Sequence, residues 1–340
     1  MRPACLPIHT HTFFFNGGVT DRSVDRSGTT SGTGFAAAVC VARHGGEVLL
    51  LNRPSPRSVA SLEKLREAVP GGKFVPVDCD LTDFGSVRGA AAEIRGKHTA
   101  LYCLSNNAGI MATPDEITPD GYDRQIQTNH LSHYLLTREL LPLLQASARE
   151  TGDARIVQHS SLARNNCPGD KLLRERYFTK KERDGMLGGD GDPDAGMFKG
   201  PQWERYSQSK LANSVFSQAL HDRLTASGDP DRRKIRSLCA HPGIARTNLA
   251  DHLSRGGIVG SLIGTVIGYT FLQSSEDGAM GLLRAMMDTP DRVEGGILYG
   301  PKGMTGYPVA IPPEAHESDA ASKEMLWRTS ETAVGAPFDV

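Results

Sequence analysis

Short apolar runs of strand length alternate along the chain with longer segments in which apolar residues recur at helical spacing. The strand-like runs fall at residues 47–51, 74–77, 100–104, 156–158, 235–239 and 297–299. Between them, residues 58–69, 84–94, 121–147, 206–227 and 276–287 carry the helical period. This repetition predicts an α/β fold, a doubly wound parallel sheet covered on both faces. Such sheets bind ligands where the carboxyl ends of the strands open at a topological switch point, so chemistry is expected just after each strand.

Two stretches break the rhythm. Residues 162–205 turn charged and then rich in Gly and Asp (Gly188, Gly189, Asp190, Gly191, Asp192), which predicts an insertion or lid with a short helix at 171–180. From residue 309 the chain is polar, with a helix expected over 318–332. The organisation expected is an N-terminal extension (1–27) with an uncertain first strand, one domain over 28–308 that contains the 162–205 insertion, and a tail over 309–340. No internal repeat is visible.

Composition narrows the function classes. The 340 residues hold 38 Lys plus Arg against 39 Asp plus Glu, a net charge of -1, so no field exists to draw nucleic acid or anionic lipid. A hydrophobic content of 39% with mean hydropathy of -0.33 is that of an ordinary globular chain. Cys5, Cys40, Cys79, Cys103, Cys167 and Cys239 form no Cys-x-x-Cys and several sit in apolar runs, which points to reduced thiols and a cytoplasmic location. The apolar cluster at Phe13–Phe15 is too short for the core of a signal peptide. Residues 256–272 are apolar but fall short of the ~20 a spanning helix needs. Gly256, Gly260, Gly264 and Gly268 put a bare stripe on that segment, which fits close helix packing, with a peripheral membrane-surface or substrate-entry helix as the other reading.

The run Ser27-Gly28-Thr29-Thr30-Ser31-Gly32-Thr33-Gly34 precedes an Ala-rich helical segment and the strand at 47–51. Glycines there let backbone N–H groups approach a pyrophosphate at a helix N-terminus, although a plain glycine loop has the same composition. After the second strand comes Asn52-Arg53, where an NAD site usually offers an acid to the ribose 2′-hydroxyl. A guanidinium can instead hold a 2′-phosphate, so Arg53 points to NADP(H) over NAD(H), a solvated surface arginine being the plainer alternative. Asp80 and Leu81 follow the third strand, placed for an adenine amino group or for capping the next helix.

Tyr206 and Lys210 lie four apart on one helix face, and an ammonium beside a phenol favours its ionised form. Bringing a tyrosine pKa from about 10 to about 7 needs roughly 4 kcal/mol. The spacing alone decides nothing, because Tyr177 and Lys181 share it. Tyr206 is preferred because an amphipathic helix and then a strand follow it, whereas Tyr177 sits in a charged stretch leading into the Gly/Asp loop. Ser160 and Ser161 follow the strand at 155–158, where a hydroxyl can donate to a carbonyl or simply cap a turn. Asn129 stands inside a long helical segment where an amide is not favoured, which hints at a buried polar role such as holding water for a proton relay. His130 and His133 beside it read as packing, not as metal ligands.

Together these residues resemble the short-chain dehydrogenase/reductase family, and most its retinol-dehydrogenase-like branch. The motifs are Gly28-Thr-Thr-Ser-Gly32-Thr-Gly34, Asn106-Asn107-Ala108-Gly109, Thr128-Asn129-His130-Leu131, Ser160-Ser161-Leu162-Ala163, Tyr206-Ser-Gln-Ser-Lys210-Leu-Ala-Asn213 and His241-Pro242-Gly243, in order over residues 28–300, with similarity again near Leu326-Trp327. The resemblance implies a Rossmann-type sheet, NAD(P), and a catalytic set of Asn129, Ser161, Tyr206 and Lys210. It implies that Gly28, Ser31, Gly32, Thr33 and Gly34 hold the pyrophosphate, that Asn107, Ala108 and Gly109 line the adenosine side, and that Pro242, Gly243 and Thr247 meet the nicotinamide end. The function expected is hydride transfer between nicotinamide and an apolar alcohol, aldehyde or ketone, with a homodimer through the long helices as an analogy. Two departures stand out: the polar Val24-Asp25-Arg26-Ser27 where an apolar first strand is usual, so that Phe13–Phe15 becomes the alternative strand, and the long interval from Ser161 to Tyr206. The rivals are a non-catalytic NADP-binding sensor or interaction protein of the same fold and, with less support from glycine spacing, a sugar-nucleotide epimerase.

Overall fold

An apolar run with no alternation must be buried on both faces. In the computed structural model, which describes residues 12–16, 32–189, 199–244 and 273–340, each such run contributes to one sheet. The order of elements is β1 (Thr12–Asn16), α1 (Gly32–Arg43), β2 (Glu47–Asn52), α2 (Pro56–Ala68), β3 (Phe74–Asp78), α3 (Phe84–Lys97) and β4 (Cys103–Asn106). A short helix α4 (Arg124–Ile126) then runs through a π-helical turn, Gln127–Leu131, into α5 (Ser132–Thr151). β5 (Ala154–His159), α6 (Pro201–Ala226), β6 (Ile235–Ala240), α7 (Ser275–Met287), β7 (Leu298–Pro301), β8 (Pro308–Ile311) and α8 (Ala320–Val334) complete the described chain.

The sheet order is β3-β2-β1-β4-β5-β6-β7-β8, with every pairing parallel except β7 with β8. β1 therefore lies between β2 and β4, and the winding reverses there, which is the topology of a Rossmann-type single domain. Of the two positions left open for the first strand, Thr12–Asn16 is the one in the sheet, with Phe14 in register with Leu49 on one side and Leu104 on the other.

Side chains alternate between two cores. Leu49, Leu51, Leu104 and Ile156 pack with α3, α5, α6 and α8 on one face. Val48, Leu50, Cys103, Val157 and Leu238 pack with α1, α2 and α7 on the other. At ~25 cal/mol per Å2 of apolar surface, burial on this scale supplies the main drive for folding. The one fully buried arginine of β5, Arg155, is satisfied by Asp153 and by the carbonyls of Ala285 and Asp288, which ties the sheet to α7.

Three expectations need correction. Where a polar tail is expected from residue 309, the strand Pro308–Ile311 joins the sheet, its half-exposed, Pro-led pattern carrying no apolar run. The helix expected at 171–180 is only a 3-10 turn at Glu175–Tyr177. The helix carrying Tyr206 starts a turn and a half earlier than expected, at Pro201, a residue well suited to a first helical position.

Candidate active site

The carboxyl end of β5 sets the site. Beyond His159 the chain turns through Ser160 and Ser161 into a 3-10 turn, Leu162–Asn166, packed against α6. Lys210 in α6 points back into this corner and its Nζ donates to the carbonyl of His159 at 3.0 Å. Ser160 Oγ donates to the carbonyl of Lys210 at 2.7 Å, so strand end and helix are latched twice. Asn213 Nδ2 also donates to His159 O, at 3.0 Å. The Lys210 side chain is only 4% exposed, and a buried ammonium needs such partners.

One turn earlier on the same helix stands Tyr206, with Lys210 Nζ 5.8 Å from its ring centroid. Trp203 packs edge-on against Tyr206 at 6.1 Å between centroids. Ser209, between Tyr206 and Lys210, accepts a hydrogen bond from Asn129 Nδ2 at 2.9 Å. The rest of the Asn129 amide is fixed by Ile110, whose N–H donates to Oδ1 at 2.8 Å and whose carbonyl accepts from Nδ2 at 2.9 Å. Asn129 lies in the π-helical turn, a local widening common at functional sites. The unfavoured asparagine is the sequence signal of that turn.

Ser161 caps the 3-10 turn, its Oγ accepting from Ala163 N at 3.2 Å while its own proton is left to be donated. Ser160, by contrast, is 1% exposed, and its hydroxyl donates to Lys210 O and accepts from Ser214 Oγ. Of the serine pair only Ser161 is partly accessible.

Around this corner lie several of the residues expected to meet a dinucleotide. Gly32, with a φ of 65°, Thr33 and Gly34 form the first turn of α1, and Arg53 directly follows β2. Asn107, Ala108 and Gly109 follow β4; the buried Asn107 Oδ1 meets no hydrogen-bonding partner among the described residues. A Cβ on Gly109 would lie 2.9 Å from Lys210 Nζ and 3.2 Å from Asn129 Oδ1, so only glycine brings this backbone so close to both. Pro242 and Gly243 follow β6. Gly243 has a φ of 66° and its added Cβ would lie 2.4 Å from Met304 O, while Gln273 Nε2 holds Pro242 O at 2.9 Å. Asp80 is occupied locally: its Oδ1 accepts from the N–H and hydroxyl of Thr82, and Asp83 caps α3 instead. Leu81 is buried, its carbonyl accepting from Ser132 Oγ. Gly28, Ser31 and Thr247 lie outside the described residues, as does the apolar segment 256–272.

These observations meet the comparison with known proteins. Residues 27–169 match the short chain dehydrogenase family model. The chain is 31% identical over 326 residues, 93% of its length, to retinol dehydrogenase 13 of Homo sapiens, of which the match covers 86%. The chain belongs to the short-chain dehydrogenase/reductase family. It is also 37% identical over 225 residues to an uncharacterized oxidoreductase of Schizosaccharomyces pombe, a match spanning 66% of this chain but 60% of that protein. Among solved structures, an uncharacterized protein from Mycobacterium paratuberculosis superposes with a TM-score of 0.68 at 28% identity, covering 99% of this chain and 98% of the other. The fold and active-site architecture are thus those of an NAD(P)-dependent oxidoreductase of the short-chain dehydrogenase/reductase family.

The rival pair is dispersed. Tyr177 Oη donates to Glu204, and burial followed by that carboxylate pushes the phenol up to about 12. Lys181 instead meets Asp115 and lies 3.8 Å from Asp123. With Arg205, whose Nε is 3.4 Å from Asp123, they make a buried four-charge knot that pins the excursion after Ser161 to residues 113–123. Further bonds add to it: Lys181 N donates to Gly121 O at 2.7 Å, Leu187 N to Asp115 Oδ2 at 2.6 Å and Ile117 N to Asp184 at 2.6 Å. Sequence reasoning missed this knot, along with Ile110, Ser209 and the His159 carbonyl; the last three act through neighbours distant in sequence.

Proposed function

We propose that this short-chain dehydrogenase/reductase is an NADP(H)-preferring enzyme of the retinol-dehydrogenase-like branch, moving hydride between nicotinamide and an apolar alcohol, aldehyde or ketone. The observation that carries the reading is Lys210, buried beside Tyr206, Asn129 and Gly109 at the carboxyl end of the sheet. Gly32, Thr33, Gly34, Asn107, Ala108, Gly109, Pro242 and Gly243 fit a dinucleotide, and Gly28, Ser31 and Thr247 extend that set in sequence. When bound, the nicotinamide supplies or takes up the hydride.

The remaining work falls to the chain. Ser161 donates a hydrogen bond to the substrate oxygen and fixes it toward Tyr206. Tyr206 gives its proton to that oxygen in reduction and removes it in oxidation. Lys210 stabilises the phenolate through its positive charge, which the neutral His159 carbonyl does not cancel. Asn129, locked by Ile110 and Ser209, holds the helix turn that lines the path for proton replacement. General acid-base assistance of this kind contributes about 10²- to 10⁴-fold.

Arg53 supports the preference for the 2′-phosphate, since no acid occupies the position after β2. Asp80 and Leu81 lie at the end of β3 on the adenine side. The thiols of Cys79, Cys103, Cys167 and Cys239 are buried and pushed up by that burial, which supports a reducing, cytoplasmic setting. No helix among the described residues is long and apolar enough to cross a membrane.

Initial rates with NADPH and NADH on aldehydes of increasing chain length test the reading. Rates are expected to rise with chain length and to favour NADPH, and Arg53→Ala is expected to remove about tenfold of that preference, the worth of one charge-assisted contact. Equal use of both cofactors by the unmodified protein, or a preference for short polar carbonyls, contradicts it.

A further inference from the structure

The segment before α8 reaches back to the turn that carries Ser161. Arg164, two residues beyond Leu162, is 3% exposed and uses its guanidinium fork on two partners at once. Its Nη1 donates to the carbonyl of Ser161 at 3.1 Å, and its backbone N–H donates to the same oxygen at 3.1 Å. Its Nε donates to Glu317 Oε1 at 2.8 Å, in an ion pair with both side chains 3% exposed. The second Glu317 oxygen accepts from Glu314 N at 2.8 Å, so neither oxygen is idle. Two outer contacts run in parallel: Asn165 Nδ2 donates to Glu314 Oε1 at 3.2 Å, and Asn165 Oδ1 meets His316 Nε2 at 3.1 Å.

The Arg164–Glu317, Asn165–Glu314 and Asn165–His316 contacts join the Ser161 turn to residues 314–317, some 150 positions away in sequence. A buried ion pair returns little net stability once desolvation is counted. What it does supply here is geometry, because a planar fork shared between a carboxylate and a carbonyl fixes the orientation of that carbonyl. The Ser161 peptide in turn fixes where its hydroxyl lies.

We propose that Glu317, acting through Arg164, is a positioning residue for Ser161, so that the C-terminal segment forms part of the active site. The inference rests on the reading of Ser161 as the group that holds the substrate oxygen. Loss of the carboxylate charge lets the guanidinium turn away from the Ser161 carbonyl, and a shift of the serine by a fraction of an ångström weakens its hold on the oxygen in the transition state.

The test is a double-mutant cycle in the full chain. Glu317→Gln is expected to lower kcat about tenfold with NADPH binding unchanged, and in a Ser161→Ala background to change kcat by less than about twofold. NADPH binding is read separately by fluorescence titration. Arg164→Lys is the second variant: it keeps the charge but one ammonium cannot serve both partners, and the same loss of effect in the Ser161→Ala background is expected. Equal fold-losses in both backgrounds, for either variant that folds, overturn the inference alone. An undiminished kcat in Ser161→Ala overturns both the inference and the reading of the site beneath it.

Discussion

Tyr206 with Lys210 and Tyr177 with Lys181 have the same spacing, and the structure gives them opposite surroundings. The first pair lies on a regular helix of 26 residues, where positions four apart share a face. The second starts in a 3-10 turn that ends at Tyr177, so the two side chains part. Lys210 donates to the neutral carbonyl of His159 and lies beside the Tyr206 ring, whereas Lys181 lies against the carboxylates of Asp115 and Asp123. Tyr177, facing Glu204, is driven away from ionisation. Equal spacing thus yields a shared face only on a continuous helix, and the groups around each lysine then set the two pairs apart.

The largest effect that sharpens this contrast concerns stability. Lys181→Met leaves Asp115 and Asp123 with Arg205 alone in a buried setting, and is expected to cost about 3–5 kcal/mol in denaturant unfolding, the usual cost of halving a buried pair. Lys210→Met is expected to do the reverse, with turnover down about 10²-fold and a smaller change in stability. A Lys181 variant with unchanged stability, or a Lys210 variant with unchanged turnover, breaks the contrast.

Much of this was open to sequence reading. The parallel strands and the oddity of the asparagine at 129 follow from local pattern, and so does the difference in setting between Tyr206 on a regular helix and Tyr177 in a charged excursion. β8 was not legible because Pro308 and the outward-facing Val309 and Ala310 carry no core signal. The first strand was ambiguous because its pairing with β2 and β4, not its neighbours in sequence, places it. The Arg164–Glu317 pair and the charge knot join residues far apart in sequence, where charged positions look like ordinary surface. Helix capping is legible only as one alternative: of the two readings of Asp80, adenine contact or cap, the cap of α3 falls to Asp83 instead, while Asp80 holds Thr82.

A smaller effect separates the surroundings of the two lysines by pH. Carboxylates surround Lys181, but His133 and His159 near Lys210 are held neutral, lowered to about 3 by burial and then by the Lys210 charge. His130 and His241 are also lowered to about 3 by burial. Unfolded histidines take up protons near pH 6.5 while these folded ones do not, so the unfolded state binds more protons between pH 6.5 and 3. Stability is therefore expected to be full above that window and to fall as the pH drops through it. His133→Gln is expected to flatten the decline by about 1.4 kcal/mol per pH unit, measured by urea unfolding at pH 7, 6 and 5. An unchanged slope contradicts the neutral, buried assignment.

The most direct test compares the two phenols in one assay of NADPH-dependent carbonyl reduction, with NADPH binding followed by fluorescence. Tyr206→Phe is expected to lose about 10³-fold in turnover with NADPH binding within about twofold of the unmodified protein, while Tyr177→Phe keeps its turnover within about twofold. Turnover retained in Tyr206→Phe, or lost equally in Tyr177→Phe, contradicts the account.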